Sequence, residues 1–151
     1  MSIFNVDAFL NSATAAPLST ERKLIPPNTY QASVAAIDVK SGTIEKGDNA
    51  GKPWARLDVT FEIMDQAVRD FTLRSKVVLT HGVMLDISED GTGIDNREGR
   101  NVNLGKLYQA LGMNEAGANP RMAVGRVCQV RVDHGSYNGN PREEIRAITK
   151  A

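Results

Sequence analysis

The sequence predicts a mainly β domain of five strands, with one helix between the third and the fourth strand. Within the stretch Lys52–Met64, apolar and polar residues alternate strictly from Leu57 to Ile63, which is typical of a strand with one buried face. The apolar set of that strand is Leu57, Val59, Phe61 and Ile63. Between Asn101 and Leu111, apolar residues recur instead with a helical period, and Gly112 can end that helix. Tyr137-Asn138-Gly139 is a strong hairpin signal between the last two strands.

Length and composition favour a single domain without a membrane span. The chain has 151 residues, of which 41% are hydrophobic and 24% are charged. We find no secretory signal and no apolar run of the roughly 18 residues that a membrane span needs. The single cysteine, Cys128, lies in a strand-like run and fits a core position in a reducing compartment. We therefore expect a cytoplasmic protein with no membrane partner.

The charge is balanced in total but uneven along the chain. The formal net charge is zero, which argues against a dedicated binder of duplex DNA. Residues 81–100 hold two basic and five acidic side chains, whereas residues 121–151 hold six basic and three acidic ones. A neutral total can therefore hide a basic groove beside an acidic flank.

Residues 1–28 do not have the pattern of a strand, and we interpret them as an N-terminal arm or lid before a domain at 29–151. Asn5 to Leu10 is long enough for one helical turn with apolar anchors at Phe4, Phe9 and Leu10. Pro26-Pro27 prevents helix just before the first strand. The arm either covers its own domain or reaches a neighbouring subunit, which would make the protein a homo-oligomer.

The first and third strands are less regular than the second. The first is predicted at Thr29–Val39, and a slip in its alternation indicates a bulge or a strong bend. A polar connection at Lys40–Lys52 follows, either a solvated hairpin tip or a basic finger that closes on a polyanion. After a turn at Asp65–Arg69, we predict the third strand at Asp70–Thr80.

Two more strands follow the helix, at Val124–Asp133 and Glu143–Thr149. The turn-rich segment before the helix contains Asp86 to Asp90, which imitates a calcium loop but lacks the closing glutamate. We therefore expect no metal and no other cofactor. Three strands, a helix and two strands is the order of the OB-fold, a five-stranded Greek-key barrel.

Four stretches carry a resemblance to a known family: Pro27 to Tyr30, Trp54 to Ile63, Gly99 to Gly105 and Ala110 to Asn114. On these stretches the chain resembles the phage-encoded single-stranded DNA-binding proteins of OB type. The resemblance implies sequence-tolerant binding of single-stranded DNA in phage DNA replication and recombination. It also implies a location in the host cytoplasm and replication or recombination proteins as partners.

Binding of single strands needs aromatic faces for the bases and cations for the backbone. The stacking candidates are Trp54, Tyr137 and, more weakly, Tyr30, and the phosphate candidates are Arg56, Arg74, Lys76, Lys52 and Arg142. Trp54 shares the parity of Arg56, opposite to the buried set, so its indole should point away from the core. The alternatives are that Trp54 packs under a loop and that the arginines only form a solvent-exposed face of a strand.

A second hypothesis for the function is a protein-interaction or virion-assembly module that uses the barrel and the arm. The zero net charge is compatible with it. We find no phosphate-binding loop, no metal-ligand cluster and no nucleophile with a base in a motif around it, so we do not expect an enzyme.

Overall fold

Residues 3–151, which the computed structural model describes, form five strands, three α-helices and one 3-10 helix. The strands are β1 (Asn28–Thr43), β2 (Pro53–Ile63), β3 (Val77–Leu85), β4 (Val127–Tyr137) and β5 (Asn140–Lys150). The helices are α1 (Val6–Leu10), α2 (Gln66–Thr72) and α3 (Val102–Ala110), with the 3-10 helix at Pro120–Ala123. No helix in this described part of the chain is long and apolar enough to cross a membrane.

The five strands form one antiparallel sheet in the order β3-β2-β1-β4-β5. The two edge strands, β3 and β5, also contact each other, and α3 contacts both of them. The predicted mainly β class and the number of strands are thus confirmed. The sheet has β1 at its centre, so the pairing with β1 sets the register of β2 and of β4.

The alternation in β2 predicts the core correctly. Leu57, Val59, Phe61 and Ile63 are fully buried, and the neighbouring strands contribute Ala32, Val34, Cys128, Val130 and Val132 to the same cluster. Burial raises the pKa of the Cys128 thiol to about 11, which keeps it protonated and unreactive. The helix α3 adds Leu104, Leu107 and Tyr108 to this core.

The bulge predicted in the first strand is present, between Val34 and Ala36. The end predicted for that strand, at Val39, is wrong because β1 continues to Thr43. The added residues stay paired with β2, and Gly42 lies opposite Trp54. The connection between β1 and β2 is therefore residues 44–52, and Lys40 lies on a strand.

The predicted third strand, Asp70–Thr80, is wrong in its first half. The Asp65 side chain accepts a hydrogen bond from the Ala67 amide and starts α2 there, since an aspartate cap satisfies a free N–H of the first turn. Leu73 ends α2 in the left-handed conformation, with φ 58°. The strand begins only at Val77, so Arg74 and Lys76 lie between α2 and β3.

The last hairpin is longer than predicted, and its turn is where the sequence placed it. Asn138 and Gly139 have φ values of 50° and 80°, as the two central residues of a type I′ turn require. The pairing of β4 with β5 continues up to Tyr137 and Asn140, beside this turn. The aromatic ring of Tyr137 is therefore presented at the tip of a regular hairpin.

Residues 22–25 form a strap held by charged groups of the domain. Ile25 is fully buried, and its N–H donates to Glu143 Oε2 at 2.6 Å. His134 Nε2 lies 2.6 Å from the Ile25 carbonyl oxygen, and Arg74 contacts both Glu143 oxygens at 3.0 and 3.2 Å. Arg74 also donates to the Lys23 carbonyl oxygen at 2.9 Å. The end of the N-terminal segment is thereby fixed to the domain.

Upstream of the strap, α1 buries none of its side chains. It forms where the sequence predicts one helical turn, with the Asn5 side chain accepting from the Ala8 amide. None of its residues is buried, and the predicted anchors Phe4, Phe9 and Leu10 are 70%, 61% and 73% exposed. The apolar side chains of α1 therefore anchor it to no other part of residues 3–151.

Candidate nucleic-acid interface

The outer face of β1, β2 and β3 carries the central candidates, in rows set by the strand register. Trp54 lies opposite Gly42, and Arg56 lies between Lys40 of β1 and Met84 of β3. Directly opposite residues point to the same side of a sheet, so these side chains share one face. It is the face opposite Leu57 and the other buried residues of β2.

The indole of Trp54 lies on the outer surface, as its parity predicts, and it is seated on a glycine. A Cβ added to Gly42 would lie 2.7 Å from Trp54 Nε1 and 2.9 Å from Cε2. The absence of a side chain at Gly42 thus lets the indole lie against the backbone of β1. Trp54 is half-buried in this way, so it is neither a core residue nor a freely rotating ring.

Arg56 is held beside the indole by a carboxylate on the same strand. Its Nε and Nη2 donate to the two Asp58 oxygens at 2.7 and 3.1 Å, and its Cδ lies 2.9 Å from where a Cβ of Gly82 would be. This bidentate bond raises the pKa of Arg56 and lowers that of Asp58. The guanidinium is therefore fixed in place, and its charge is largely matched.

The two predicted lysines are on the surface. Lys76 Nζ lies 3.5 Å from Glu62 Oε1, and the Lys76 side chain is 61% exposed. Lys52 ends the β1–β2 connection, where its Nζ donates to Asn49 Oδ1 at 3.3 Å. Exposed contacts of this kind are weak, so both ammonium groups can turn to the phosphate of a ligand at small cost.

A second aromatic and basic unit lies at the β4–β5 hairpin. Tyr137 is 64% exposed, and the Arg142 guanidinium carbon lies 5.7 Å from its ring centroid. Arg142 Nε also donates to Glu144 Oε1 at 2.9 Å, and Arg146 lies 3.3 Å from Glu144 Oε2. The two arginines thus share one carboxylate, which leaves an excess of positive charge there.

Two of the predicted site residues, Tyr30 and Arg74, belong neither to the outer face of β1, β2 and β3 nor to the β4–β5 hairpin. Tyr30 is 7% exposed in the core, and its hydroxyl donates to the Pro26 carbonyl oxygen. It has the parity of Ala32 and Val34, which the core already requires, so its ring cannot stack on a base. Arg74 lies in the loop before β3 and is occupied by Glu143 and the strap, so it holds structure in place.

Sequence reasoning did not recognise the residues that seat the candidates. No sequence pattern marks Gly42 or Gly82. Each makes room for a side chain of β2, so its role depends on which residue of β2 is paired opposite or beside it. Lys40 was assigned to a loop, whereas it lies opposite Arg56 on β1, and its charge contributes to the lowered pKa of Asp58. A correct register of β1 on β2 is the signal that finds all of them.

No protein-family model matches the chain, and no curated protein matches its sequence. Within residues 3–151, no group of three or more histidine, cysteine or acidic side chains is placed to hold a metal ion. The outer face is therefore the feature of the molecule that bears on its function.

Proposed function

We propose that the protein binds single-stranded DNA with little sequence preference and acts in phage DNA replication or recombination. The observation that carries this proposal is the seated indole of Trp54 beside the fixed guanidinium of Arg56 on the outer face of β2. A held aromatic ring and a planar cation suit the two parts of a nucleotide, its base and its phosphate.

The topology supports an OB-type barrel. A sheet in the order β3-β2-β1-β4-β5 whose edge strands touch has the neighbours of a closed five-stranded Greek-key barrel, and α3 lies between β3 and β4 in the chain. OB-folds bind oligonucleotides on the face of strands two and three and with the loops after strands one and four. Trp54 follows the first of these loops, and Tyr137 precedes the second.

The charges on this face favour moderate binding that depends weakly on salt. Within residues 3–151, Arg56 and Lys76 have carboxylate partners, whereas Lys40, Lys46 and Lys52, on the face and in its loop, have none. About three phosphates neutralised on a single strand correspond to a slope of roughly −2 in log K against log salt concentration. Stacking, at about 1–3 kcal/mol per base, should then supply much of the affinity.

The test is fluorescence anisotropy of a labelled oligo-dT, with a duplex of the same length as the matched ligand. We expect binding of the single strand at low salt, a shallow loss as salt rises, and weaker binding of the duplex. No change in anisotropy at micromolar protein and low salt would overturn the proposal.

The arm supports a second candidate function, a module for protein interaction or virion assembly. In the part of the arm that the structure describes, six large apolar residues are exposed: Ile3, Phe4, Val6, Phe9, Leu10 and Leu18. An exposed apolar segment of this size suits contact with a neighbouring subunit or another protein. Sedimentation of the full chain and of a variant without residues 1–20 separates the candidates, since only the second makes assembly depend on the arm.

A further inference from the structure

A cleft of about 570 Å³ lies where the two edge strands meet, between β3, β5 and α3. This volume is in the range of about 300–1,000 Å³ that is usual for small-ligand sites. The cleft is separate from the seat of Trp54, but Met84 joins the two. Met84 lines the cleft and also lies opposite Arg56 on the outer face.

The floor of the cleft is apolar. Val83, Leu107, Ile145 and Ile148 line it, and each of them also packs in or against the core. The core cluster continues behind these side chains, so they keep a fixed position. Such a floor suits a flat, weakly polar group, whose burial there releases water from both surfaces.

The rim is basic and carries no carboxylate. Lys106 of α3 and Arg146 of β5 line the cleft from two sides, together with the amide of Asn103. In the described part of the chain, Lys106 has no ion-pair partner, and Arg146 shares Glu144 with Arg142. An anion in the cleft would therefore meet two cations that are poorly neutralised.

His81 adds a neutral polar group to this lining. It lies opposite Val59 and therefore points to the inner side of β3. Burial lowers the pKa of the imidazole, so the ring is uncharged at neutral pH. A neutral imidazole both donates and accepts a hydrogen bond, as does an amide, and these are the groups that match the edge of a nucleobase.

From this combination we infer that the cleft binds one nucleotide of the DNA strand, with the base on the apolar floor and its phosphate between Lys106 and Arg146. The inference rests on the proposed function and deepens it. The strand would pass from Trp54 and Arg56 over Met84 into the cleft, and the nucleotide there would leave the stack on the outer face. The site thus adds a base-holding position beyond the face of β2.

The first experiment uses a mononucleotide, dTMP, with thymidine and inorganic phosphate as separate arms, followed by amide chemical shifts. We expect dTMP to shift the amides of residues 81–84 and 145–148 at millimolar concentration. Thymidine and phosphate should each produce weaker shifts of the same amides, because each carries only half of the recognised group. Shifts confined to the surroundings of Trp54, or no shifts at all with dTMP, would overturn the inference.

The second experiment compares Lys106→Gln with Arg121→Gln. Both residues are exposed and each variant loses one positive charge, but Arg121 lies outside the cleft. For Lys106→Gln we expect about fivefold weaker binding of oligo-dT and a salt slope smaller by about 0.7, the value for one phosphate contact on a single strand. Arg121→Gln should leave both quantities close to the wild-type values.

The two proposals fail in different ways. If Lys106→Gln binds oligo-dT with wild-type affinity and salt slope, the cleft is not a nucleotide site, whereas the proposed function is retained. Absence of any oligo-dT binding by the wild-type protein would remove the proposed function and this inference together. An equal loss of affinity in both variants would show an effect of net charge only and would also overturn the inference that the cleft binds a nucleotide.

Discussion

The substitution Gly42→Ala tests the seat of Trp54 without removing the indole. The new Cβ would lie 2.7 Å from Trp54 Nε1, 2.9 Å from Cε2 and 3.0 Å from Cζ2. Real Cβ atoms do not approach other atoms so closely, and the backbone of β1 is held by its pairing with β2. The ring therefore has to leave its place, and it would no longer present the same surface beside Arg56.

Two opposing terms set the effect on stability. Overpacking costs about 1–3 kcal/mol, whereas alanine in place of glycine in a strand stabilises the fold by about 0.5–1 kcal/mol. We expect the free energy of unfolding to fall by about 1 kcal/mol. If the indole is the base platform, its displacement removes up to about 1–3 kcal/mol of stacking, a fivefold to more than hundredfold loss of affinity.

The assay is a double-mutant cycle with Trp54→Ala, read by oligo-dT affinity and by denaturant unfolding. In the Trp54→Ala background, Gly42→Ala meets no ring, so it should leave DNA affinity unchanged and should stabilise by about 0.5–1 kcal/mol. Gly93→Ala is the matched control, since its Cβ would meet nothing within 4 Å. Additive effects on affinity, or wild-type affinity in both single variants, would refute the assignment of Trp54 as a stacking platform.

Three further predictions concern the strap, a loop carboxylate and the arm. Glu143→Gln should lower the free energy of unfolding by about 3 kcal/mol because it leaves Arg74 poorly paired, and hydrogen exchange at residues 22–25 should rise. Glu144→Gln should cost less than about 1 kcal/mol in the same unfolding measurement, because Glu144 is half-buried but its partners Arg142 and Arg146 are 56% and 53% exposed. Equal losses in the two variants would contradict this role of the strap. Asp95 has a pKa of about 2, held down mainly by the side chain of Arg97, so its contribution to stability is present above about pH 4 and is lost as the pH falls through about 2. A chemical-shift titration of the Asp95 carboxyl group should give this pKa. The same pKa in Arg97→Ala would show that Arg97 does not lower it. Deletion of residues 1–20 should leave the unfolding midpoint nearly unchanged because α1 buries no residue, and a large drop in that midpoint would show that the arm packs on its own domain.

Much of the fold could be predicted from local patterns. The period of two in β2 assigned every buried apolar side chain of that strand, because successive residues of a strand point to opposite faces. The helical spacing gave α3, and Asn138-Gly139 gave the hairpin, since those residue types adopt the positive φ values that the turn demands. The same parity rule groups Tyr30 with Ala32 and Val34 on the buried face, where it is 7% exposed.

Local patterns failed where a capping residue competed with alternation. Phe71 and Leu73 match the parity of a strand, yet Asp65 starts a helix and Leu73 ends it. A short segment contains too few residues for its periodicity to decide, and the winner is the structure that satisfies the backbone groups at its ends. The strand assignment placed Arg74 on the binding face, whereas α2 places it against Glu143.

By itself the sequence determined the buried apolar face of β2, the helical pattern of α3 and the outward direction of Trp54. The tertiary structure alone decided what each candidate side chain touches. Gly42 supports the indole, Gly82 lies beneath Arg56, and the cleft at Lys106 and Arg146 forms only where β3 meets β5. The physical reason is that alternation fixes the face of a residue from its neighbours in the chain. Register and sheet closure depend on pairing between segments far apart in sequence, and these set the distances from which a site is made.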